Sequence, residues 1–151
     1  MIDLVLPGWA ALVAPAYPRW EIVKDATVLP IEGVVDPATA HAWVRKNIKY
    51  QSEPIDDWSH PQVTLDRGYG DCEDMAILER ALLIAAGWEP EIYIVIARDN
   101  IAHVDHALLV TKGVVLDIRT PKLIPLETLS DYLPTYALSS RQTLTFGRRV
   151  G

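Results

Sequence analysis

The chain has 151 residues, half of them hydrophobic, and its fourteen Lys and Arg against twenty Asp and Glu give a net charge of −6. A chain of this length buries about 70% of the surface that its unfolded form exposes, so we expect a single globular domain spanning residues 1–151. This composition excludes an intrinsically disordered protein, and the negative charge argues against a nucleic-acid partner.

The one cysteine excludes an internal disulfide and a multi-cysteine zinc site. The most apolar runs, at 75–86 and 92–97, are shorter than the roughly 20 residues of a membrane-spanning helix, so no membrane partner is expected. Residues 1–16 are apolar but have no basic start and contain Asp3, Pro7 and Pro15, which favours an early strand or packing segment over a signal peptide. Together with the lone cysteine, this predicts a cytoplasmic location.

The first helix is predicted at 38–48, where Asp36 is a suitable N-cap and Pro37 suits the first helical position. Ala42, Trp43 and Ile48 are expected to line its buried face. The polar and aromatic segment at 50–70 is predicted to be a long loop, which in a small domain is usually functional.

The second helix is predicted at 72–86. Asp71 is its N-cap, Asp74 stands in the capping-box position, and Gly87 ends it. Beyond the first turn only Glu79 and Arg80 are strongly polar, which predicts a helix buried on most sides.

Strands are predicted at 91–97, 106–111 and 114–119, and the last two are joined by a tight hairpin at Lys112 and Gly113. Residues 137–151 are predicted to form an extra strand and a tail. Two helices followed by antiparallel strands indicate an α+β fold.

Cys72 falls at the first position of the second helix, where backbone N–H groups and the helix dipole favour an anion. Reactive thiolates are found in such places, although a lone cysteine is more often a small buried hydrophobic residue. A nucleophilic thiol needs a base. The candidates are His41, His60, His103 and His106.

The hairpin distinguishes His106 from His103. With Lys112 and Gly113 as the loop, Thr111 pairs with Val114, Leu108 with Asp117, and His106 with Arg119. His106 and Asp117 then share one face of the sheet as diagonal neighbours, within reach of a carboxylate–imidazole hydrogen bond. The structural alternative is an ordinary histidine at the start of a strand.

Several segments together resemble the transglutaminase-like cysteine peptidase superfamily, and more narrowly the bacterial transglutaminase-like cysteine proteinases. They are GYGDCEDMA at 68–76, VDHALLV at 104–110, Leu116-Asp117, WVRKNIKY at 43–50, WSHP at 58–61 and Thr64-Leu65. The resemblance covers residues 37–120. It implies a papain-like α+β core, in which a buried helix carrying the cysteine packs on an antiparallel sheet.

The resemblance implies that Cys72 is the nucleophile, His106 the general base and acid, and Asp117 the orienting carboxylate. The implied reaction is hydrolysis of a peptide or isopeptide amide in a protein or peptide substrate, through a thioester. The alternatives are cross-linking to a lysine amine and a non-catalytic transglutaminase-like interaction module. The Cys72 N–H is the expected oxyanion donor, with Gln51 or Trp58 as a side-chain partner.

Asp71, Glu73 and Asp74 place negative charge around a thiol that must ionise, which disfavours the thiolate. Carboxylates are suitable calcium ligands, and the resemblance implies calcium at the acidic residues flanking the cysteine. The alternative is that these residues only cap the helix and complement its dipole. No cofactor is expected to be required, with calcium the one candidate.

Overall fold

The computed structural model describes residues 4–52, 57–99, 105–128 and 132–148. The helices are α1 Trp20–Lys24, α2 Pro37–Asn47, α3 Pro61–Arg67 and α4 Cys72–Ala85, and a short 3-10 turn covers Leu126–Thr128. The strands are β1 Trp9–Ala14, β2 Lys49–Tyr50, β3 Tyr69–Gly70, β4 Ile92–Asp99, β5 Asp105–Thr111, β6 Val114–Leu116, β7 Ile124–Pro125, β8 Tyr132–Leu138 and β9 Thr143–Arg148.

Among the described residues, seven strands form one antiparallel sheet in the order β1-β9-β8-β4-β5-β6-β7. β2 and β3 form a separate parallel pair. This pair places Tyr50 beside Gly70, so the segment after β2 runs alongside the residues that lead into α4. The predicted class, helices with an antiparallel sheet, is confirmed.

Helix α4 packs against β5 and is the most buried of the described helices. Every residue from Met75 to Leu83 is buried, including Glu79 and Arg80, which confirms the prediction of a helix buried on most sides. Its apolar side chains join those of the sheet, such as Ile94 and Leu109, in the main core. The helix that begins with Cys72 is therefore fixed along almost its whole length.

The predicted hairpin is present with the predicted register. Thr111 pairs with Val114, and the two loop residues Lys112 and Gly113 have φ of 48° and 76°. Positive φ at both positions is typical of a type I′ turn, whose twist matches that of the strands. β6 ends at Leu116 rather than at residue 119, because the chain turns after Asp117, where the Thr120 N–H donates to the Asp117 carbonyl at 2.9 Å.

Two local expectations are wrong. The segment at 50–70 contains the helix α3, which starts with Pro61 at its first turn and ends at Gly68, whose φ of 77° is the left-handed conformation favoured by glycine. On α2, Ala42 is exposed. Its buried residues are Pro37, Ala40, His41 and Val44, and Ile48 follows them into the core.

Two further predictions concern the ends of the chain and the membrane. Within residues 137–151, β8 ends at Leu138 and β9 runs from Thr143 to Arg148. The later residues, like residues 1–3 at the other end, lie outside the described part of the chain. Across the part that is described, no helix has the length and apolarity to cross a membrane.

Candidate active site

Cys72 is the first residue of α4, and the N-terminus of this helix is held by a reciprocal capping box. The Asp71 carboxylate accepts a hydrogen bond from the Asp74 N–H at 3.1 Å, and the Asp74 carboxylate accepts one from the Asp71 N–H at 3.3 Å. The cysteine is 7% exposed, and the Ala107 backbone N–H is directed at its sulfur. Because Ala107 follows His106 on β5, the thiol lies against the strand that carries the histidine.

His106 and Asp117 form a buried imidazole–carboxylate pair, with Nε2 and Oδ1 separated by 2.8 Å. The Asp117 carboxylate also accepts hydrogen bonds from the Arg119 N–H at 3.0 Å and the Tyr132 hydroxyl at 2.9 Å. Burial alone would raise the pKa of Asp117, but the hydrogen bonds from His106 and Arg119 outweigh it and the pKa is lowered. Asp117 is therefore ionised and holds His106 through Nε2, so Nδ1 is the ring nitrogen that does not contact Asp117.

Tyr132 is a site residue that the sequence analysis did not identify. Besides its hydrogen bond to Asp117, its ring stacks on the His106 imidazole, with centroids 5.9 Å apart and planes at 21°. The Arg119 guanidinium lies 5.4 Å from the Tyr132 ring centroid. Tyr132 comes from β8, which pairs with β4, and the sequence carries no signal for this long-range placement.

The electrostatics around Cys72 favour the neutral thiol. Burial, followed by the charges of Glu73 and Asp71, raises the pKa of Cys72 to about 12, against a smaller opposing effect of the Ala107 N–H. Desolvation and the neighbouring negative charges therefore outweigh the effect of the helix dipole, which alone would lower the pKa of the thiol. The thiol must lose its proton when it reacts, or the neighbouring negative charge must be neutralised first.

The three acidic residues around Cys72 have different roles. Asp71 contacts Glu73, and burial together with this contact raises the pKa of Asp71 to about 7. Asp74 is fully buried, and its carboxylate accepts hydrogen bonds from Arg67 Nη2 at 2.9 Å and from the Ser59 N–H at 2.9 Å.

The oxygens of Asp74 already accept hydrogen bonds from Arg67 and from two backbone N–H groups. Calcium binding by Asp71, Glu73 and Asp74 stays a prediction. Across residues 4–52, 57–99, 105–128 and 132–148, no three His, Cys, Asp or Glu side chains converge as a metal site. Of the three carboxyl groups, Asp71 and Glu73 contact each other beside Cys72.

Tyr50 is a second site residue missed from the sequence. Burial, and then the charges of Cys72, Asp71 and Glu73, raise the pKa of its phenol, so the hydroxyl lies within electrostatic range of the thiol and of both carboxyl groups. Half of the Tyr50 side chain is exposed to solvent. The pairing of β2 with β3 brings Tyr50 beside Gly70.

The two oxyanion candidates lie in different surroundings. Gln51 follows β2 with an exposed side chain, and its N–H donates to the Gly70 carbonyl at 2.8 Å, close in the chain to Cys72. Trp58 is 5% exposed and stacks on Tyr17 at a centroid distance of 5.5 Å, as a member of the core. The oxyanion role of either side chain stays a prediction.

The other histidines that the sequence offered have partners elsewhere or lie outside the described residues. His60 contacts Asp25 at 2.7 Å on the surface, and His41 contacts Glu79 at 3.0 Å in the interior. His103 lies outside the described part of the chain.

A family model described as bacterial transglutaminase-like cysteine proteinase BTLCP matches residues 37–141. This match covers well over half of the chain and includes Cys72, His106 and Asp117. The chain belongs to this family. It is a transglutaminase-like cysteine protease, and its substrates are proteins or peptides.

Solved structures of Legionella pneumophila LapG have the same fold as this proteinase. In the alignment with one of them, 83% of this chain and 74% of the LapG chain are covered, with 20% sequence identity and a TM-score of 0.68. An EGTA-treated form (87% and 75% covered, 20% identity, TM-score 0.70) and a calcium-bound form (87% and 78% covered, 22% identity, TM-score 0.65) are also similar. A comparison with curated proteins gave no match.

Proposed function

We propose that the proteinase cleaves a peptide or isopeptide amide through a thioester intermediate, with Cys72, His106 and Asp117 as its catalytic triad. The observation that supports this most strongly is the 2.8 Å contact between His106 Nε2 and Asp117. His106 lies on β5, and the next residue of that strand, Ala107, directs its N–H at the Cys72 sulfur. A nucleophile, a base and an orienting carboxylate in one buried cluster are the requirements of covalent amide hydrolysis.

In the first half of the reaction, the Cys72 sulfur bonds to the amide carbonyl carbon while its proton passes to His106 Nδ1. Asp117 stabilises the resulting imidazolium without taking its proton. His106 then gives that proton to the amide nitrogen, the C–N bond breaks, and the amine leaves behind a Cys72 thioester. Because the pKa of the thiol is about 12, proton transfer during attack is more consistent with this geometry than a preformed thiolate.

In the second half, water attacks the thioester carbon and gives a proton to His106. The carbon–sulfur bond breaks, the proton returns to the sulfur, and the carboxylic acid is released. The negative oxygen that forms in each half needs donors. The Cys72 N–H is the proposed backbone donor, since the first N–H groups of a helix have no intrahelical partner.

The test measures the rate of iodoacetamide alkylation of Cys72 in the native protein as a function of pH. Wild type is compared with His106→Ala and with His60→Ala, which removes an exposed histidine paired with Asp25 away from the thiol. We expect His106→Ala to lower the rate near neutral pH by about 100-fold and His60→Ala to leave it unchanged. Equal rates in all three proteins would contradict the triad.

We further propose that Asp71 and Glu73 bind calcium next to the thiol, as a calcium-bound form of the similar LapG structure suggests. The donor chemistry fits, since two carboxyl groups in contact offer hard oxygen ligands, and their mutual repulsion helps to raise the pKa of Asp71. Bound calcium would supply positive charge next to the thiol, which opposes the charges that now raise its pKa.

Calcium titration of the metal-free protein by calorimetry tests this proposal. Asp71→Asn and Glu73→Gln are expected to weaken calcium binding at least tenfold, whereas Asp66→Asn, an exposed carboxylate on α3, leaves it unchanged. No calcium binding by the wild-type protein, or equal binding by all variants, would exclude this site.

A further inference from the structure

Helices α2 and α4 are joined in the interior by a histidine–glutamate pair that the reaction above does not use. His41 Nδ1 lies 3.0 Å from Glu79 Oε2, and each side chain is about 1% exposed. Removing one partner of such a buried pair strongly destabilises a protein, because the other charge is left unpaired. Replacing both partners together by apolar side chains changes the stability little. The pair is of interest because of its location between α2 and α4, not because of its contribution to the free energy of unfolding.

The second ring nitrogen of His41 reaches the turn that carries Asp117. Nε2 lies 2.7 Å from the Thr120 carbonyl oxygen, which can only accept, so Nε2 bears a hydrogen. The remaining proton of the pair then lies between Nδ1 and Oε2. Burial disfavours a charged His41, but the Glu79 contact outweighs it and the pKa of His41 is raised. Arg45 and Asp117 are the other charged groups that act on the pair.

The Thr120 carbonyl belongs to the same turn as the catalytic carboxylate. The Thr120 N–H and hydroxyl both donate to the Asp117 carbonyl, at 2.9 Å and 3.2 Å. A second contact from α2 supports the turn, since Arg45 Nε donates to the Ile118 carbonyl at 3.1 Å. Helix α2 therefore holds two successive parts of the segment after Asp117.

Glu79 follows Cys72 by seven residues, which is two turns of α4, so both side chains lie on one face of that helix. Cys72 at the start of this face contacts β5 next to His106, and Glu79 further along it contacts His41. The helix that supplies the nucleophile is thereby connected through two side chains to the turn that supplies the carboxylate.

We propose that Glu79 and His41 are positioning residues of the active site, which set the spacing between α4 with Cys72 and the turn with Asp117. This inference rests on the proposed triad. It differs from a purely structural role, in which the pair only joins α2 to α4 and any loss of stability elsewhere on α4 has the same effect on the thiol.

The experiment combines two variants of the pair with a matched control. The double variant His41→Leu/Glu79→Met replaces both partners with apolar side chains, so no buried charge is left alone. Glu79→Gln keeps a hydrogen bond to Nδ1 but removes the carboxylate. The control is Arg80→Met, because Arg80 is the next residue on α4 and equally buried, but its hydrogen bonds go to Val23, Ile92 and Ser140.

Two measurements are made at a temperature where thermal melts show every variant folded. The first is the His106-dependent part of the Cys72 alkylation rate with iodoacetamide. The second is the NMR resonance of the His106 Nε2 proton that bonds Asp117. We expect the double variant to lower the rate about tenfold and to shift that resonance, since small displacements of reacting groups have effects of this size. Glu79→Gln and Arg80→Met should stay within about threefold of wild type.

The proposal is overturned if the double variant keeps both the rate and the resonance of wild type, or if Arg80→Met changes them equally. Should the double variant fail to fold, Arg45→Met tests the same turn from the surface, with the exposed Lys46→Met as its control. An alkylation rate in wild type that does not depend on His106 contradicts the triad instead. In that case the resonance still reports whether the pair positions His106 and Asp117.

Discussion

Asp117 owes its orientation to more than its partner histidine. The Tyr132 hydroxyl donates to one of its oxygens while the Tyr132 ring covers the imidazole. A group that touches both members of the pair limits how far either can rotate. At the scale of single residues, Tyr132 is therefore the strongest candidate for a side chain that supports the proposed triad without reacting.

Tyr132→Phe removes the hydrogen bond to Asp117 and keeps the ring over His106. We expect the His106-dependent alkylation rate to fall about three- to tenfold, because hydrogen bonds to an ionised carboxylate are among the stronger ones. The matched control is Tyr136→Phe, on the same strand, whose ring contacts Tyr17 in a tilted arrangement instead. An equal loss in both variants would assign the effect to β8 in general.

Glu73→Gln tests how the charge next to Cys72 controls the thiol. Burial is the largest cause of the raised pKa of Cys72, and the charge of Glu73 is the second. Replacing that carboxylate by the neutral amide of Gln should therefore lower the pKa of Cys72. Without calcium, alkylation at pH 8 is expected to become about three- to tenfold faster, while the exposed Glu21→Gln leaves it unchanged. A slower reaction would show that Glu73 supports the thiol in another way.

At the scale of elements, the junction of β3 with α4 is packed so closely that its glycine is required. A Cβ on Gly70 would lie 2.7 Å from the Asp74 Cβ and 3.3 Å from the Thr64 Cγ2. Asp74 cannot move aside easily, because it holds Arg67 and two backbone N–H groups. The entry into the cysteine helix is thus fixed by backbone contact.

Gly70→Ala is expected to lower the free energy of unfolding by about 1 to 3 kcal/mol, as overpacking of a closed site does. Gly147→Ala is the control, since its Cβ would meet nothing within 4 Å and its change should stay within about 0.5 kcal/mol. Urea unfolding of both variants against wild type provides the comparison. Equal stability of the two variants would show that the junction adapts.

The sequence predicted those parts of the site that depend on short-range geometry. Lys112 and Gly113 fixed the hairpin register, and the register brought His106 and Asp117 together. The capping box at Asp71 likewise located the start of α4. These features depend on residues a few positions apart, whose conformational preferences are local.

Contacts between distant segments were not predictable in the same way. Tyr132 reaches the site through the pairing of β8 with β4. The ion pair of Asp74 with Arg67 was not foreseen, because Arg67 lies on α3, a helix that was predicted to be loop. The oxyanion side chains and the cytoplasmic location stay predictions.

At the scale of the whole molecule, buried carboxyl groups near the thiol link stability to pH. The pKa of Asp71 is raised from 3.8 to about 7, first by burial and then by Glu73. A raised pKa means that the folded chain binds more protons than the unfolded chain between these two values. The contribution of Asp71 to the free energy of unfolding is therefore fully present below about pH 4 and is lost as the pH rises through 7.

The metal-free protein is accordingly expected to gain on the order of 2 kcal/mol when the pH falls from 8 to 5. Below about pH 4 it should lose stability again as Asp117, whose pKa is lowered, becomes protonated. Asp71→Asn should flatten the gain and Asp66→Asn should preserve it, as measured by thermal unfolding in EGTA. A gain that persists in Asp71→Asn would assign it to other groups.

Strand β1, at the edge of the sheet, pairs with β9, so Trp9 lies opposite Arg148 and the two partners are separated by nearly the entire chain. During synthesis β1 is translated before β9, so it can pair with β9 only after the segments between them have been made. The segments from α4 to the Asp117 turn are complete well before that moment. The segments that carry the proposed triad are therefore synthesised before the strand that completes this edge of the sheet, so only the outer edge depends on the longest-range pairing in the fold.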